Sequence, residues 1–204
     1  MSFSLRGSAI LLWVPLVLAS PEQLLSQVSL TGRLGATYTT TMVSDQIAGS
    51  PVDLAPGISP TLGVEVAYPL RTRTPLEASG ELQVALGTLE RKEGGARTDV
   101  SSLQTIALTA GIAGRVGTLL RLRAGVGLMS YAFSEKAGVF QQGRPLRPLG
   151  TAALEYRRPL TPTLRLSAQL RYDLHSFTTK QLEANGYTGS QTVHRVTVGI
   201  GVSR

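Results

Sequence analysis

The chain has 204 residues, a formal net charge of +7 and no cysteine. This length suits one domain with a substantial core, and the missing cysteines exclude disulfides and thiol–metal sites. The basic excess comes from arginine, since the only lysines are Lys92, Lys136 and Lys180. Lysine and arginine form no run of the kind seen in nucleic-acid-binding patches, so we expect no nucleic-acid partner.

The first segment of the chain is typical of an export signal. Arg6 provides a positive charge before an apolar run, and cleavage is expected after Ala19 or as late as residue 26. The apolar run is shorter than the roughly 20 residues that a membrane-spanning helix needs. We therefore predict a signal peptide over residues 1–19 and a single β-barrel domain over residues 28–204.

Eight segments then alternate between apolar and polar residues, which is the period of a β-strand. Most are 11 to 15 residues long, well above the ~5–6 residues of soluble strands and enough for a tilted membrane strand of ~9–11 residues. The predicted strands are 28–39, 58–68, 76–88, 102–114, 119–133, 149–158, 163–175 and 191–203.

The connections between these strands alternate between long and short. Long loops are predicted at 40–57, 89–101, 134–148 and 176–190. Short turns are predicted at 69–75, 115–118 and 159–162. Long loops at one rim and short turns at the other are the layout of an outer-membrane barrel, with an even strand number that puts both ends of the chain at the short-turn rim.

Charged side chains within the predicted strands fall on odd-numbered positions, apart from Arg158 at a strand end. Eight strands enclose a space just wide enough to be filled by side chains, and arginine suits bidentate pairing with buried carboxylates better than lysine does. We therefore predict that the odd face points inward and that its charges plug the lumen. The predicted lumen charge network is Arg33, Glu65, Glu77, Glu81, Arg121, Arg123, Glu155, Arg165, Arg171, Asp173 and Arg195.

The even face is apolar and is predicted to contact lipid. Tyr38 and Tyr172 lie near its loop end and Tyr68 and Tyr156 near its turn end, which predicts an aromatic girdle at headgroup level on each side. Arginines at the short-turn rim are expected to meet anionic headgroups. They are Arg71, Arg73, Arg115, Arg157 and Arg158.

These alternating segments, with the turns that begin Pro69-Leu70 and Pro159-Leu160, resemble the small outer-membrane β-barrel family of OmpA/OmpX type over about residues 28–204. The resemblance implies an all-β fold, an eight-stranded antiparallel up-and-down transmembrane β-barrel in the outer membrane. It also implies a monomer whose partners are outer-membrane lipids, including lipopolysaccharide, and the barrel-assembly machinery.

The chemistry-bearing residues are few. His175 and His194 fall near the loop rim, but Ser176 follows His175 directly and so points to the opposite face. The His-x-Ser pattern of lipid A deacylases is matched at neither histidine. Asp173 and His175 share a face, yet two residues do not make a metal site. We expect no catalytic, metal-ligating or cofactor-binding residues, and no cofactor.

The favoured function is therefore structural or interaction-based, in which the barrel anchors surface loops and stabilises the envelope. Passage of small or hydrophobic solutes is the alternative, and a lipid-A-modifying enzyme is the third possibility. A soluble ligand-carrying barrel would turn its apolar face inward and its charges outward, where lysine is usual. The near absence of lysine argues against it.

Overall fold

The computed structural model describes residues 28–47, 50–70, 75–134, 146–177 and 191–204. The predicted signal peptide over residues 1–19 and its cleavage point lie outside the described residues, as does most of the loops predicted at 134–148 and 176–190. Among the described residues, no helix has the length and apolar character needed to cross a membrane.

Ten β-strands make up the described chain. The first five are β1 (Ser29–Thr39), β2 (Val43–Ile47), β3 (Ser50–Pro56), β4 (Ser59–Pro69) and β5 (Leu76–Glu93). The other five are β6 (Ala96–Val116), β7 (Leu120–Phe133), β8 (Arg147–Pro159), β9 (Arg165–Phe177) and β10 (Gln191–Ser203).

Eight of these strands close into a barrel. The wall runs β1, β4, β5, β6, β7, β8, β9, β10 and back to β1, and every neighbouring pair is antiparallel. Each wall strand therefore pairs with the next wall strand in the sequence, which is an up-and-down barrel. The predicted fold class and its eight wall strands are confirmed.

Two predicted long loops are wrong, because both are largely β-structure. The segment 40–57 contains β2 and β3, which pair with each other, and β3 continues along β5. The segment 89–101 is the extension of β5 and β6, which stay paired up to Glu93 and Ala96. Gly94 and Gly95 between them have φ angles of 55° and 86°, the left-handed conformation that a two-residue hairpin turn requires.

The odd-numbered side chains of the wall point inward and the even-numbered ones point outward. Arg121, Arg171 and Arg195 are almost completely buried, whereas Leu108 and Val126 expose 60% and 71% of their surface. Every wall strand contributes such exposed apolar side chains. Because all wall backbone groups pair within the closed ring, this outer surface is suited to lipid.

Neighbouring strands of the wall approach each other closely at two opposite places. Gly35 pairs with Gly199 between β1 and β10, and Gly111 pairs with Gly125 between β6 and β7. A Cβ on any of these glycines would collide with the backbone of the neighbouring strand; at Gly199 it would lie 2.9 Å from the Leu34 carbonyl oxygen. These two strand pairs lie on opposite sides of the ring.

Candidate functional site

The lumen is filled by two different layers of side chains. The layer nearer the short turns, called here the ionic cluster, consists of six arginines and five carboxylates, all buried. Its members are Arg33, Glu65, Glu77, Glu81, Arg121, Arg123, Glu155, Arg157, Arg171, Asp173 and Arg195. They come from seven of the eight wall strands, so the cluster links nearly the whole ring.

Glu65 on β4 is the most heavily paired carboxylate of this cluster. Its Oε2 lies 2.8 Å from Nη1 of Arg33 and 3.4 Å from Nη1 of Arg123. Its Oε1 lies 2.7 Å from Nη2 of Arg121 and 4.0 Å from Nη2 of Arg157. A carboxylate with no solvent exposure is stable only with such partners, since an unpaired buried charge is very costly.

Other ion pairs cross the lumen. Glu155 on β8 binds Arg33 on β1 at 2.8 Å, and it also binds Arg121 at 3.0 Å and Arg157 at 2.9 Å. Glu81 on β5 pairs with Arg123 and, at 3.0 Å, with Arg171 on the opposite strand β9. Ion pairs of the cluster therefore join facing walls of the barrel.

The layer nearer the long loops, called here the apolar cap, is a hydrophobic cluster. It includes side chains from six wall strands, together with Met42 and Val43 from the chain that follows β1. Its members are Met42, Val43, Leu89, Leu103, Ala107, Met129, Tyr131, Leu149, Phe177 and Val193. Met42 is completely buried among the other members of this cluster.

The two layers meet at Arg195. Its Nη2 donates to Thr105 Oγ1 at 3.2 Å across the barrel, and its Nη1 lies 2.6 Å from the Met129 sulfur and 3.9 Å from Asp173. Arg171 also donates to Asp173 through Nε at 2.7 Å. One guanidinium thus contacts both Met129 of the apolar cap and Asp173 of the ionic cluster.

His175 lies within the apolar cap and does not pair with Asp173. Its Nε2 forms a 2.6 Å hydrogen bond with the Tyr131 hydroxyl, and the Tyr131 ring packs edge-on against Phe177 at 5.6 Å. Arg147 lies 4.6 Å above the Phe177 ring. The hydrogen bond between Tyr131 and His175 is therefore a polar contact enclosed in an apolar layer.

The structure brings together all the predicted lumen charges except Arg165. That residue has the inward parity, but it begins β9 at the turn end and is exposed, so its assignment to the network is wrong. Arg157, expected at the turn rim but also on the odd, inward face, is buried in the ionic cluster. Arg71 and Arg73 lie outside the described residues.

The four tyrosines predicted to form the girdle all lie on the outer wall. Tyr38, Tyr156 and Tyr172 are exposed and Tyr68 is half-buried. Tyr172 forms a 2.6 Å hydrogen bond through its hydroxyl to Nδ1 of His194. His194 is thereby an outward-facing rim residue, as its even position predicts.

A small sheet, called here the projecting sheet, continues past the wall at the loop end. It consists of β2, β3, residues 89–93 of β5 and residues 96–101 of β6, in the order β2-β3-β5-β6. The wall pairing of β6 with β7 begins only at Leu103. Sequence reasoning missed this sheet, although the Gly94-Gly95 pair is a recognisable signal of a two-residue hairpin turn.

The projecting sheet combines apolar anchoring residues with charged side chains, and both kinds occur on each of its faces. Val52 and Ala55 are buried and Leu54 packs against the apolar cap. Arg91 donates to Glu93 at 2.5 Å, Arg97 lies 3.7 Å from Glu90, and residues 96–100 are exposed. The lumen filling therefore fixes the base of a polar surface outside the barrel.

The titratable residues of the described chain form neither a metal-binding group nor a His–Ser pair. They contain no group of three or more His, Cys, Asp or Glu side chains that could hold a metal ion. His175 points inward into the cap while Ser176 points outward and is exposed, so this pair cannot act as base and nucleophile. The arrangement can hold walls together and present a surface.

No protein-family model and no curated protein matches the chain. Among solved structures it is similar to Neisserial surface protein A, with a TM-score of 0.58 and 8% identity over 87% of this chain and 96% of that chain. It is also similar to Ail of Yersinia pestis (TM-score 0.47, 13% identity, 87% and 97% covered). A third is the outer membrane protease OmpT from Escherichia coli (TM-score 0.48, 10% identity, 86% and 95% covered). At such low identity, the likeness to Neisserial surface protein A shows the fold alone.

Proposed function

We propose that this chain, an eight-stranded transmembrane β-barrel of the outer membrane, is a closed barrel that stabilises the envelope and holds an interaction surface outside it. The observation that carries the proposal is the two-layer filling of the lumen. Ion pairs join β1 to β8 and β5 to β9, and above them the apolar cap encloses Met42 completely. A solute would have to break both layers to pass.

The projecting sheet supports the interaction part of the proposal. Its last strand, residues 96–101 of β6, has no partner strand on its outer side among the described residues. Exposed backbone groups along such an edge are able to pair with another extended chain. The apolar side chains beneath the sheet hold it to the barrel, which favours a fixed and not a freely moving surface.

We further propose that the barrel acts as a monomer, is inserted by the barrel-assembly machinery and has outer-membrane lipids, including lipopolysaccharide, as its partners. Nucleic acid is not among them. The support is the continuous apolar outer wall, which lipid covers without a second protein, and the tyrosines at both of its ends.

Site-directed labelling tests the proposed display of the projecting sheet. The chain has no cysteine, so Thr98→Cys in the projecting sheet and Thr161→Cys in the β8–β9 turn each introduce one thiol, at positions exposed in the structure. A membrane-impermeant maleimide added to intact cells should label the first variant and not the second. Labelling of the second variant alone would overturn the proposed orientation.

The enzymatic alternative is tested at His175. We expect His175→Ala to leave the lipid A of the expressing cells unchanged by mass spectrometry, because the histidine bonds Tyr131 inside the apolar cap. Loss of a lipid A modification in this variant, with normal amounts of folded barrel, would refute the non-catalytic proposal.

A further inference from the structure

A small pocket lies at the turn end of the barrel, separate from the apolar cap and the projecting sheet. It has a volume of about 220 Å³ and lies between the β6–β7 turn, the end of β8 and the start of β9. Four arginines line it, Arg115, Arg121, Arg157 and Arg165, together with Thr118 and Leu120. No acidic residue is among its lining residues within the described chain.

The positive charge at this pocket is only partly neutralised from within. Arg121 binds three glutamates, and Arg115 donates to Glu77 through Nε at 3.1 Å and Nη2 at 2.9 Å. Arg165 forms no ion pair with any residue that the structure describes. The pocket is therefore a concave site with an arginine available for a ligand.

Arg157 provides a second, buried cation in the same pocket. It exposes only 7% of its surface, and its Nη2 is held by Glu155 at 2.9 Å. Its Nε is buried without a hydrogen-bond partner. A buried donor without a partner is costly, and an anion in the pocket would satisfy it. Together with the arginine lining of the pocket, this donor suits an oxyanion.

Two leucines, Leu119 and Leu120, also line the pocket. Leu119 and Leu120 are exposed at the rim, and Leu120 pairs with Tyr156 of the girdle. Tyrosines of a girdle lie at headgroup level. The pocket therefore joins an arginine-lined interior to an apolar surface at the depth where lipid phosphates are found.

We propose that this pocket binds a phosphate group, with Arg157 and Arg165 as its cationic ligands and the Thr118 hydroxyl as a further donor. The guanidinium fork matches phosphate oxygens in a bidentate manner. The two leucines favour a phosphate carried by a lipid headgroup of the adjacent leaflet; free phosphate shares the same chemistry. The inference rests on the membrane placement proposed above, but not on the closed lumen or the displayed sheet.

Binding to the full barrel in neutral detergent tests this site. Native mass spectrometry counts bound phosphatidylglycerol, and diacylglycerol serves as a matched lipid without phosphate. We expect one retained phosphatidylglycerol and no retained diacylglycerol. Arg165→Gln, an exposed position that should not disturb folding, should weaken retention about fivefold, the size expected for one cation at a lipid headgroup.

Arg158→Gln is the matched control, because Arg158 follows Arg157 on β8 but points outward and does not line the pocket. It should leave retention unchanged. Equal losses in Arg158→Gln and Arg165→Gln, or equal retention of diacylglycerol, would overturn the proposal, because either result indicates general adsorption. Failure of the wild type to retain any phosphatidylglycerol and to bind inorganic phosphate would overturn it as well.

A competition with inorganic phosphate separates the two sources. Displacement of the lipid at millimolar phosphate, weakened in Arg165→Gln, supports the site with free phosphate as its ligand. A lipid that stays bound supports the site with a headgroup as its ligand. Heat-dependent gel migration of each variant shows whether its barrel is folded. A folded barrel that binds no phosphate contradicts this inference and leaves the proposed function standing.

Discussion

The two halves of the lumen are packed with side chains of opposite chemical character. The ionic cluster fills the turn half with six arginines and five carboxylates, whereas the apolar cap fills the loop half with methionine, leucine, valine and aromatic side chains. Ion pairs reach across the barrel between facing walls, as Arg171 and Glu81 do at 3.0 Å. The cap instead depends on close contact around Met42 and Leu89.

The difference between the two halves matches what lies beyond each end. Above the cap, the projecting sheet rests on apolar side chains such as Leu54, and such a base is insensitive to salt because no charges hold it. Below the ionic cluster, the lumen ends in an arginine-lined pocket. The apolar cap therefore lies beneath the projecting sheet, and the ionic cluster lies next to the arginine-lined pocket.

The ionic half should be the most sensitive to loss of one partner. Glu65→Gln leaves Arg33, Arg121 and Arg123 buried without their shared carboxylate, which should lower the free energy of unfolding by about 3–5 kcal/mol. Urea unfolding of the barrel, refolded in lipid vesicles, measures this loss of unfolding free energy.

The control for this prediction is Glu90→Gln in the projecting sheet. Glu90 faces Arg97 at 3.7 Å, and the Arg97 side chain is 69% exposed, so the loss should stay below about 1 kcal/mol. If Glu65→Gln cost no more than Glu90→Gln, the ionic cluster would not hold the walls together.

The apolar half should respond to lost volume. Leu89→Ala removes a completely buried side chain from the cap, with an expected loss of about 2–5 kcal/mol from lost contacts and a residual cavity. Leu86→Ala on the same strand is the matched variant, since Leu86 is half exposed on the outer wall where lipid chains can fill the space. A larger loss for Leu86→Ala in the same unfolding assay would contradict the cap.

The smallest of the three effects concerns the hydrogen bond inside the cap. Tyr131→Phe leaves Nε2 of the buried His175 without its 2.6 Å partner, which should cost about 1–3 kcal/mol. Tyr172→Phe removes a hydrogen bond of the same length, to His194, at an exposed site, where water replaces the partner. Equal stability losses in the two variants would show that the cap is not closed to water.

Much of this comparison could be predicted from the sequence, because the alternation of residues along a strand fixes which side chains share a face. The odd positions place Arg33, Glu65 and Arg171 on one face, and the use of arginine without lysine predicts that this face points inward. Arg165 was misassigned because parity does not say how far along the barrel a residue lies. Arg165 lies at the turn end of β9, where its side chain is exposed to solvent.

The apolar cap was missed for a related reason. Leu103, Met129 and Leu149 occupy odd positions too, and their apolar character near the loop ends was a visible signal that the inner face changes along the barrel axis. Met42 could not be assigned to the lumen, because it precedes β2 in a segment that reads as a loop. Its position depends on the β2–β3 hairpin, in which the Met42 N–H donates to the Leu54 carbonyl oxygen at 2.8 Å.

Electrical recording in planar bilayers tests the closed lumen most directly. With the ionic cluster and the apolar cap both in place, the wild-type barrel should insert without giving stable single-channel current steps, even though its heat-dependent gel migration shows that it is folded. Reproducible, long-lived current steps from the folded wild-type barrel would contradict the account, because ions would then be crossing both layers.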